Sequence, residues 1–122
     1  PVDPVSRARL RLVHHRVIRD WYPLVAEIEN STAKKAEKPR QQLKESIVAA
    51  NDLFKESDFL LSEELSLVDC TLAPLFWRLP VYGIDLGKPG STIQGYIQRL
   101  ISRPSFKASL TRAEREMVLN AT

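Results

Sequence analysis

The segment from Leu60 to Leu79 is the most apolar run of the chain, and it carries the clearest signal for the start of a helix. Ser66 is suited to the N-cap position. Three residues later, Asp69 can accept from the backbone N–H of Ser66 while the Ser66 hydroxyl accepts from that of Asp69, which together make a capping box. We therefore predict that a helix begins directly after Ser66.

The residues around this capping box predict how the helix packs. Leu65 precedes the cap and Cys70 occupies the fourth helical position, so the two are expected to form a hydrophobic staple. Residues after Asp69 are almost all apolar for two turns. We therefore expect the helix to run from residue 67 to about residue 79, to bend at Pro74, and to be buried on all sides.

The first part of the chain predicts a long amphipathic helix. Asp3 and Pro4 suit an N-cap and the first helical position. The helix is expected to extend to about residue 30, and Pro23 should kink or break it near residues 21–22 because proline lacks a backbone N–H. Its apolar residues recur at helical spacing and form one stripe: Leu10, Val13, Val17, Trp21, Leu24 and Ile28.

Further helices are predicted along the rest of the chain. A polar, lysine-rich loop over residues 31–39 precedes a second helix, whose apolar face holds Leu43, Ile47, Ala50, Leu53 and Phe54. After a glycine-rich loop, one helix is expected near residues 93–101 and a short one from residue 104. Thr111 and Glu114 form a second capping box that opens a last helix. No run alternates with period two, so we predict an all-α bundle of five or six helices.

Composition limits the class of protein. The chain has 122 residues, enough for one domain, and a net charge of +3, which permits a nucleic-acid partner without arguing for one. Its single cysteine excludes an internal disulfide and favours a reducing compartment. No apolar run approaches the length of a membrane span, and no signal peptide is recognised. We therefore expect a soluble intracellular protein.

Candidate catalytic residues are few. His14 and His15 are adjacent, so on a helix they point about 100° apart and cannot both serve one metal. We expect one at the edge of the core and one in solvent. Cys70 lies in an apolar helix, where burial favours an inert thiol over a nucleophile. The capping role accounts for Asp69. The sequence therefore predicts no catalytic residue, no cofactor and no metal site.

The basic residues of the first helix are the best candidates for binding. Two interpretations remain open: the arginines are solvated flanks whose stems cover the core, or they form a face for an acidic partner. Arg9 and Arg16 fall on one flank of the helix with Arg19 further round, whereas Arg7 and Arg11 fall near the other edge of the apolar stripe. The candidate protein-binding residues are Arg7, Arg9, Arg11, Arg16 and Arg19.

Several blocks of the sequence resemble a known family. The capping box at 66–69 is similar to that of the helical C-terminal domain of the glutathione S-transferase-like superfamily. Blocks FLLSEELSLVDC at 59–70, WRLP at 77–80, SLTRAEREM at 109–117 and DWY at 20–22 resemble the stringent starvation protein A branch. The resemblance covers nearly the whole chain.

This resemblance implies a function and a set of partners. Members of that branch keep the transferase fold without being transferases, and act as dimers that bind the σ-containing RNA polymerase holoenzyme under starvation and acid stress. It thus implies a bacterial, cytoplasmic, non-enzymatic transcription regulator with no cofactor. Direct binding to nucleic acid is not expected.

The resemblance also sets expectations about domains. Members of the family have an N-terminal thioredoxin-like domain and a Pro-His-Pro surface motif, and neither is found here, so residues 1–122 are expected to be the C-terminal helical domain of a longer protein. Asp3 stands where the family can carry a tyrosine. The alternative function is a glutathione-dependent transferase whose helical domain forms the acceptor-substrate pocket.

Overall fold

The computed structural model describes residues 2–55 and 57–121, and regular structure in this part of the chain is helical. A π-helical turn, Val17–Trp21, joins the first two helices, and 3-10 turns lie at Asn51–Phe54 and Lys88–Gly90. With α1, the π turn and α2 counted as one continuous helix, the described residues hold six helices, which confirms the predicted all-α bundle. The α-helices are α1 (Pro4–Arg16), α2 (Tyr22–Glu29), α3 (Glu37–Ala49), α4 (Leu67–Trp77), α5 (Ser91–Ile101), α6 (Pro104–Ser109) and α7 (Arg112–Ala121).

Helix α4 lies at the centre of the core. Its Leu72 side chain is 0% exposed. Phe76 on the same helix contacts three aromatic rings, with centroid distances of 6.1 Å to Trp21, 6.2 Å to Phe54 and 6.1 Å to Tyr96. These rings come from the π turn, the first 3-10 turn and α5, so α4 joins both halves of the chain.

The start of α1 and its apolar stripe are as predicted. The Asp3 carboxylate caps the helix by accepting from the backbone N–H of Ser6 at 2.9 Å. Four residues of the stripe are buried and the other two are half-buried. The expected irregularity takes the form of the π turn, because Pro23 offers no N–H to the carbonyl of Arg19 and its ring crowds that carbonyl.

The prediction that α4 is buried on all sides is wrong for one face. Leu67 is 72% exposed, and Cys70 and Pro74 are exposed as well. These residues are three or four positions apart, so they share one side of the helix. An apolar sequence shows that a helix can be buried, but which of its faces the rest of the chain covers depends on tertiary packing.

Helix α3 begins earlier than expected, at Glu37 instead of after Pro39. Proline is tolerated there because the first turn has N–H groups without intrahelical acceptors. Leu43 and Ile47 are fully buried, as predicted. Leu53 is 43% exposed, against the prediction, because the chain has passed into a 3-10 turn whose period differs from that of the α-helix.

The second predicted capping box is present at the start of α7. Thr111 donates its backbone N–H to Glu114 Oε1 at 3.1 Å, and Glu114 donates its own to the Thr111 hydroxyl at 3.2 Å. The other carboxylate oxygen of Glu114 lies 3.2 Å from an Arg78 guanidinium nitrogen, just beyond α4. One residue thus both caps α7 and ties it to the end of the central helix.

Among residues 2–55 and 57–121, no helix is both long enough and apolar enough to cross a bilayer.

Candidate functional site

The five candidate arginines are all exposed on α1 and its π turn, but they do not share one surface. Arg7 and Arg11, one turn apart, border a cleft between α1 and the start of α4. Arg16 and Arg19 border a second cleft, between the π turn and the end of α3. This separation into two flanks is the one that the helical positions predict.

The first cleft has a volume of about 540 Å³ and contains more cationic than anionic groups. Two guanidinium groups face one carboxylate, so the cleft carries a net positive charge. We call it the basic cleft, and the residues that give it its character are Arg7, Arg11, His14, Glu64, Leu67 and Val68.

His14 is fixed at the edge of the basic cleft by hydrogen bonding. Its Nε2 lies 3.0 Å from the Thr71 hydroxyl, and that hydroxyl donates to the Leu67 carbonyl at 3.0 Å. These contacts link the imidazole on α1 to the first turns of α4. His14 is half-buried and His15 is exposed, which confirms the predicted division between the two histidines.

The second cleft, of about 550 Å³, is bordered mainly by apolar side chains. The Trp21 indole N–H donates to the Ser46 hydroxyl at 2.8 Å, so its polar atom is already satisfied. Arg19 donates to Asp20 at 2.9 Å, and this bond lowers the pKa of the Asp20 carboxyl. We call it the apolar cleft, and it is bordered by Arg16, Arg19, Trp21, Leu53 and Phe54.

The solvent side of α1 combines arginines with uncovered apolar side chains. Val5 is 68% exposed and Leu12 is 53% exposed. Arginine is enriched in protein interfaces, and uncovered apolar side chains on a helix favour contact with another protein. We call this surface the outer face of α1, and it consists of Val5, Arg9, Leu12, Arg16 and Arg19.

The predicted capping box is present, and it occupies the Asp69 side chain fully. Asp69 is 0% exposed. Its Oδ2 accepts from the Ser66 backbone N–H at 2.9 Å and from the Ser66 hydroxyl at 3.2 Å. Its Oδ1 accepts from the Leu60 N–H at 3.0 Å and from the Tyr96 hydroxyl at 2.6 Å. Asp69 is therefore a structural residue and has no access to a substrate.

Sequence reasoning predicted the Ser66 backbone N–H as a donor to Asp69 and missed the two donors from other parts of the chain. Tyr96 lies on α5 and Leu60 on the loop before α4, and no local pattern connects either of them to Asp69. Burial and the neighbouring Asp69 carboxyl raise the pKa of the Tyr96 phenol well above its usual value. Tyr96 therefore remains a hydrogen-bond donor throughout the physiological pH range.

The prediction that Cys70 is a buried thiol is wrong, since its side chain is exposed. It points to the same side of α4 as Pro74, and both border a pocket of about 250 Å³ together with Leu65. The staple contact between Leu65 and Cys70 stays a prediction. The exposed thiol is accessible to reagents from solution.

A polar cluster that the sequence did not indicate joins α2, α3 and the loop after α4. Tyr82 donates its hydroxyl to Glu29 at 2.9 Å, and Arg40 donates to the Tyr82 carbonyl at 2.7 Å. Burial, followed by the bond to Glu29, raises the pKa of the Tyr82 phenol. These bonds connect separate elements of the bundle, so we assign the cluster to the fold.

No group of three or more His, Cys, Asp or Glu side chains in residues 2–55 and 57–121 is arranged to hold a metal ion. The basic cleft, the apolar cleft and the outer face of α1 are the surfaces that the candidate arginines border.

Comparison with known proteins identifies the family of the fold. The family model for the glutathione S-transferase C-terminal domain matches residues 12–104. This match agrees with the all-helical bundle and with the capping box at the start of α4.

Curated relatives include stringent starvation protein A homologues from three bacteria. The one from Pasteurella multocida is 41% identical over 111 residues, covering 90% of this chain and 52% of the relative. The Haemophilus influenzae homologue is 40% identical over 113 residues, 92% of this chain and 53% of the relative. The Coxiella burnetii homologue is 36% identical over 118 residues, 96% and 56% respectively. The chain spans about half the length of these relatives.

Proposed function

The chain belongs to the family of glutathione S-transferase C-terminal domains, and from that premise we propose that it is the helical part of a transcription regulator that binds RNA polymerase. Its similarity to stringent starvation protein A homologues supports this proposal. The resemblance to that family supplies the partner, the σ-containing holoenzyme, and the setting, the stress response of a bacterial cytoplasm. We further propose a homodimer of a longer protein with a preceding thioredoxin-like domain.

The outer face of α1 is the observation that carries this proposal. It presents Arg9, Arg16 and Arg19 beside uncovered Val5 and Leu12, and Arg19 forms an ion pair with its neighbour Asp20. Exposed guanidinium groups steer the approach of an acidic protein surface, and the apolar side chains bury area once contact is made.

Arg7 and Arg11 flank this surface on the side of the basic cleft. The proposed contact residues are therefore the five arginines of α1 and its π turn, with Arg9, Arg16 and Arg19 at the centre and the other two at the edge. They serve either the polymerase or the second copy of the protein in the dimer.

A charge reversal tests the outer face. We expect Arg9→Glu, Arg16→Glu and Arg19→Glu together to abolish co-precipitation of the holoenzyme with the full-length protein. The matched control reverses three exposed lysines before and at the start of α3, Lys34, Lys35 and Lys38, and should retain the holoenzyme. Full retention by the arginine variant would remove these residues from the contact.

Light scattering distinguishes the two partners. If the arginine variant is monomeric at concentrations where the lysine control is dimeric, then the outer face holds the dimer together. If it stays dimeric but loses the holoenzyme, the face contacts polymerase. Neither the arginine variant nor the lysine control should bind naked DNA appreciably at moderate salt, since the proposed contacts are to protein.

A second candidate function is a glutathione-dependent transferase, and the family match over residues 12–104 favours it. In that case the helical domain would form the acceptor-substrate pocket, and a preceding domain would bind glutathione. Our proposal is that the protein is not an enzyme. Retention of the full-length protein on a glutathione column, together with conjugation of an electrophile, would favour the transferase instead.

A further inference from the structure

A cationic surface extends from the end of α5 along α6, and its first two side chains are held by contacts that leave their charges unpaired. Arg99 donates to the Asp58 carbonyl at 3.0 Å. The guanidinium carbon of Arg103 lies 5.5 Å from the centre of the Phe59 ring. A backbone carbonyl and an aromatic face position a guanidinium group without neutralising it. Both groups therefore keep an uncompensated positive charge.

Two further cations continue this surface into α6 and α7. Lys107 is exposed, and its backbone carbonyl accepts from the Arg115 guanidinium at 2.9 Å. The Lys107 N–H donates to the Arg103 carbonyl at 3.1 Å, so these two side chains lie one helical turn apart. Within residues 2–55 and 57–121, none of the four cations forms an ion pair with a carboxylate. We call this surface the α6 patch, and it consists of Arg99, Arg103, Lys107 and Arg115.

The cations beside the α6 patch differ from it, because they are already paired. Arg78 pairs with Glu114 at 3.2 Å, and Arg112 pairs with Glu116 at 2.9 Å. Even when the exposed Asp58 carboxylate is counted against the four cations, the α6 patch keeps an excess of three positive charges, as large as the net charge of the whole chain. The α6 patch therefore favours the approach of an acidic partner.

An apolar pocket of about 250 Å³ adjoins the α6 patch and includes Arg103 in its lining. It lies between α6 and the uncovered side of α4, where Cys70 and Pro74 are exposed. On the α6 side it is lined by Phe106, whose ring packs on that of Trp77 at a centroid distance of 5.5 Å. This volume is smaller than that of most small-molecule sites, roughly 300–1,000 Å³, but it can take a single side chain of a partner.

We propose that the α6 patch and this pocket together bind an acidic segment of a partner protein, with one apolar side chain of the segment seated in the pocket. Carboxylates of the segment pair with Arg103 and Lys107, and Arg99 and Arg115 extend the positive surface beyond them. A nucleic acid would supply phosphates but no apolar side chain for the pocket, so a peptide fits both features better. The site shares no residue with the outer face of α1 and does not depend on polymerase binding.

Fluorescence anisotropy with the full-length protein tests the proposal. The probe is a short labelled peptide of glutamate and aspartate with one central phenylalanine. We expect saturable binding, weakened about tenfold in Arg99→Gln/Lys107→Gln because two exposed charge pairs are lost. The matched control, Lys34→Gln/Lys35→Gln, makes the same change of net charge before α3 and should bind within about twofold of the unaltered protein. All four substituted side chains are exposed, so the fold is retained, which circular dichroism verifies.

Two altered peptides separate the charge from the apolar anchor. Glutamine and asparagine in place of the acidic residues should abolish binding, and serine in place of the phenylalanine should weaken it about tenfold or more because the ring no longer leaves water. Cys70 supplies an independent readout, since its exposed thiol borders the pocket. Saturating probe should slow the reaction of Cys70 with a thiol reagent, measured by mass spectrometry of its tryptic peptide, whereas the serine peptide should not.

Several results would overturn the proposal. One is the absence of saturable binding to the unaltered full-length protein. Another is equal weakening in the two glutamine variants, which would mean attraction to net charge and not to the α6 patch. Unchanged reactivity of Cys70 under saturating probe would remove the pocket from the site. Displacement of the probe by duplex DNA at moderate salt, at lower concentrations than the unlabelled peptide requires, would assign the patch to nucleic acid instead.

Discussion

Replacing Asp69 with Ala removes a carboxylate that is fully buried and accepts from four donors. Loss of the cap at Ser66 costs about 1 kcal/mol. The substitution also leaves the Leu60 N–H and the Tyr96 hydroxyl buried without their acceptor, at about 1–3 kcal/mol each. We therefore expect Asp69→Ala to lower the free energy of unfolding by about 3–7 kcal/mol.

Urea denaturation followed by circular dichroism at 222 nm measures this loss. With a slope of about 2 kcal/mol per molar urea, the midpoint should fall by roughly 1.5–3.5 M. Tyr96→Phe removes one of the four donors and should cost less than Asp69→Ala. The double variant should lose less than the two single losses combined, because both substitutions break the same hydrogen bond.

Asp3→Ala is the matched control for the Asp69 substitution. Asp3 caps α1 through the Ser6 N–H at 2.9 Å, but it is exposed, so water can replace it. Its loss should shift the midpoint far less than the loss of Asp69. If both substitutions shift the midpoint equally, or if Asp69→Ala unfolds within about 0.3 M urea of the unaltered chain, then burial of this carboxylate does not contribute as described.

Two further predictions follow from exposure and charge. The Cys70 thiol should react with a thiol reagent such as 5,5′-dithiobis(2-nitrobenzoate) in the folded chain at a rate within about tenfold of its rate in urea. A thiol that reacts only when the chain unfolds would contradict the exposed position of Cys70. The Thr111 N–H lowers the pKa of the Glu114 carboxyl below its ordinary value of 4.5, with Arg78 contributing in the same direction. The folded chain therefore binds this proton less readily than the unfolded chain, so the stabilisation from Glu114 is present above pH 4.5 and is lost as pH falls through the lowered pKa. Carboxyl chemical shifts measured between pH 7 and 2 should show the lowered pKa of Glu114. Amide exchange in α7 over the same range should show the loss of stability, and Glu114→Gln should remove this transition.

The helix starts could be predicted because their signals are local. Asp3, Ser66 and Thr111 each begin a helix, and in each case the cap and the group it bonds are three residues apart. The apolar stripe of α1 was equally accessible, since its period reports one buried face. The predictions of the helix ends and of the π turn were less accurate, because these features depend on which donors the neighbouring carbonyl groups accept from.

The arginines of α1 and its π turn show how much of a binding site helical spacing alone can predict. Their division into two flanks follows from helical spacing alone. That Arg7 and Arg11 face Glu64 and Leu67 across a cleft does not, since those residues lie more than fifty positions away. The basic cleft exists only because tertiary packing brings the start of α4 beside the first half of α1.

The sequence by itself determined the all-helical class, the capping boxes and the division of charge around α1, because each depends on residues within one or two helical turns. Only the tertiary structure decided that Cys70 is exposed and that Asp69 also accepts from Leu60 and Tyr96. An almost wholly apolar helix such as α4 gives no sign of which side remains uncovered. Burial is a property of the elements packed around a residue, and those elements come from distant parts of the chain.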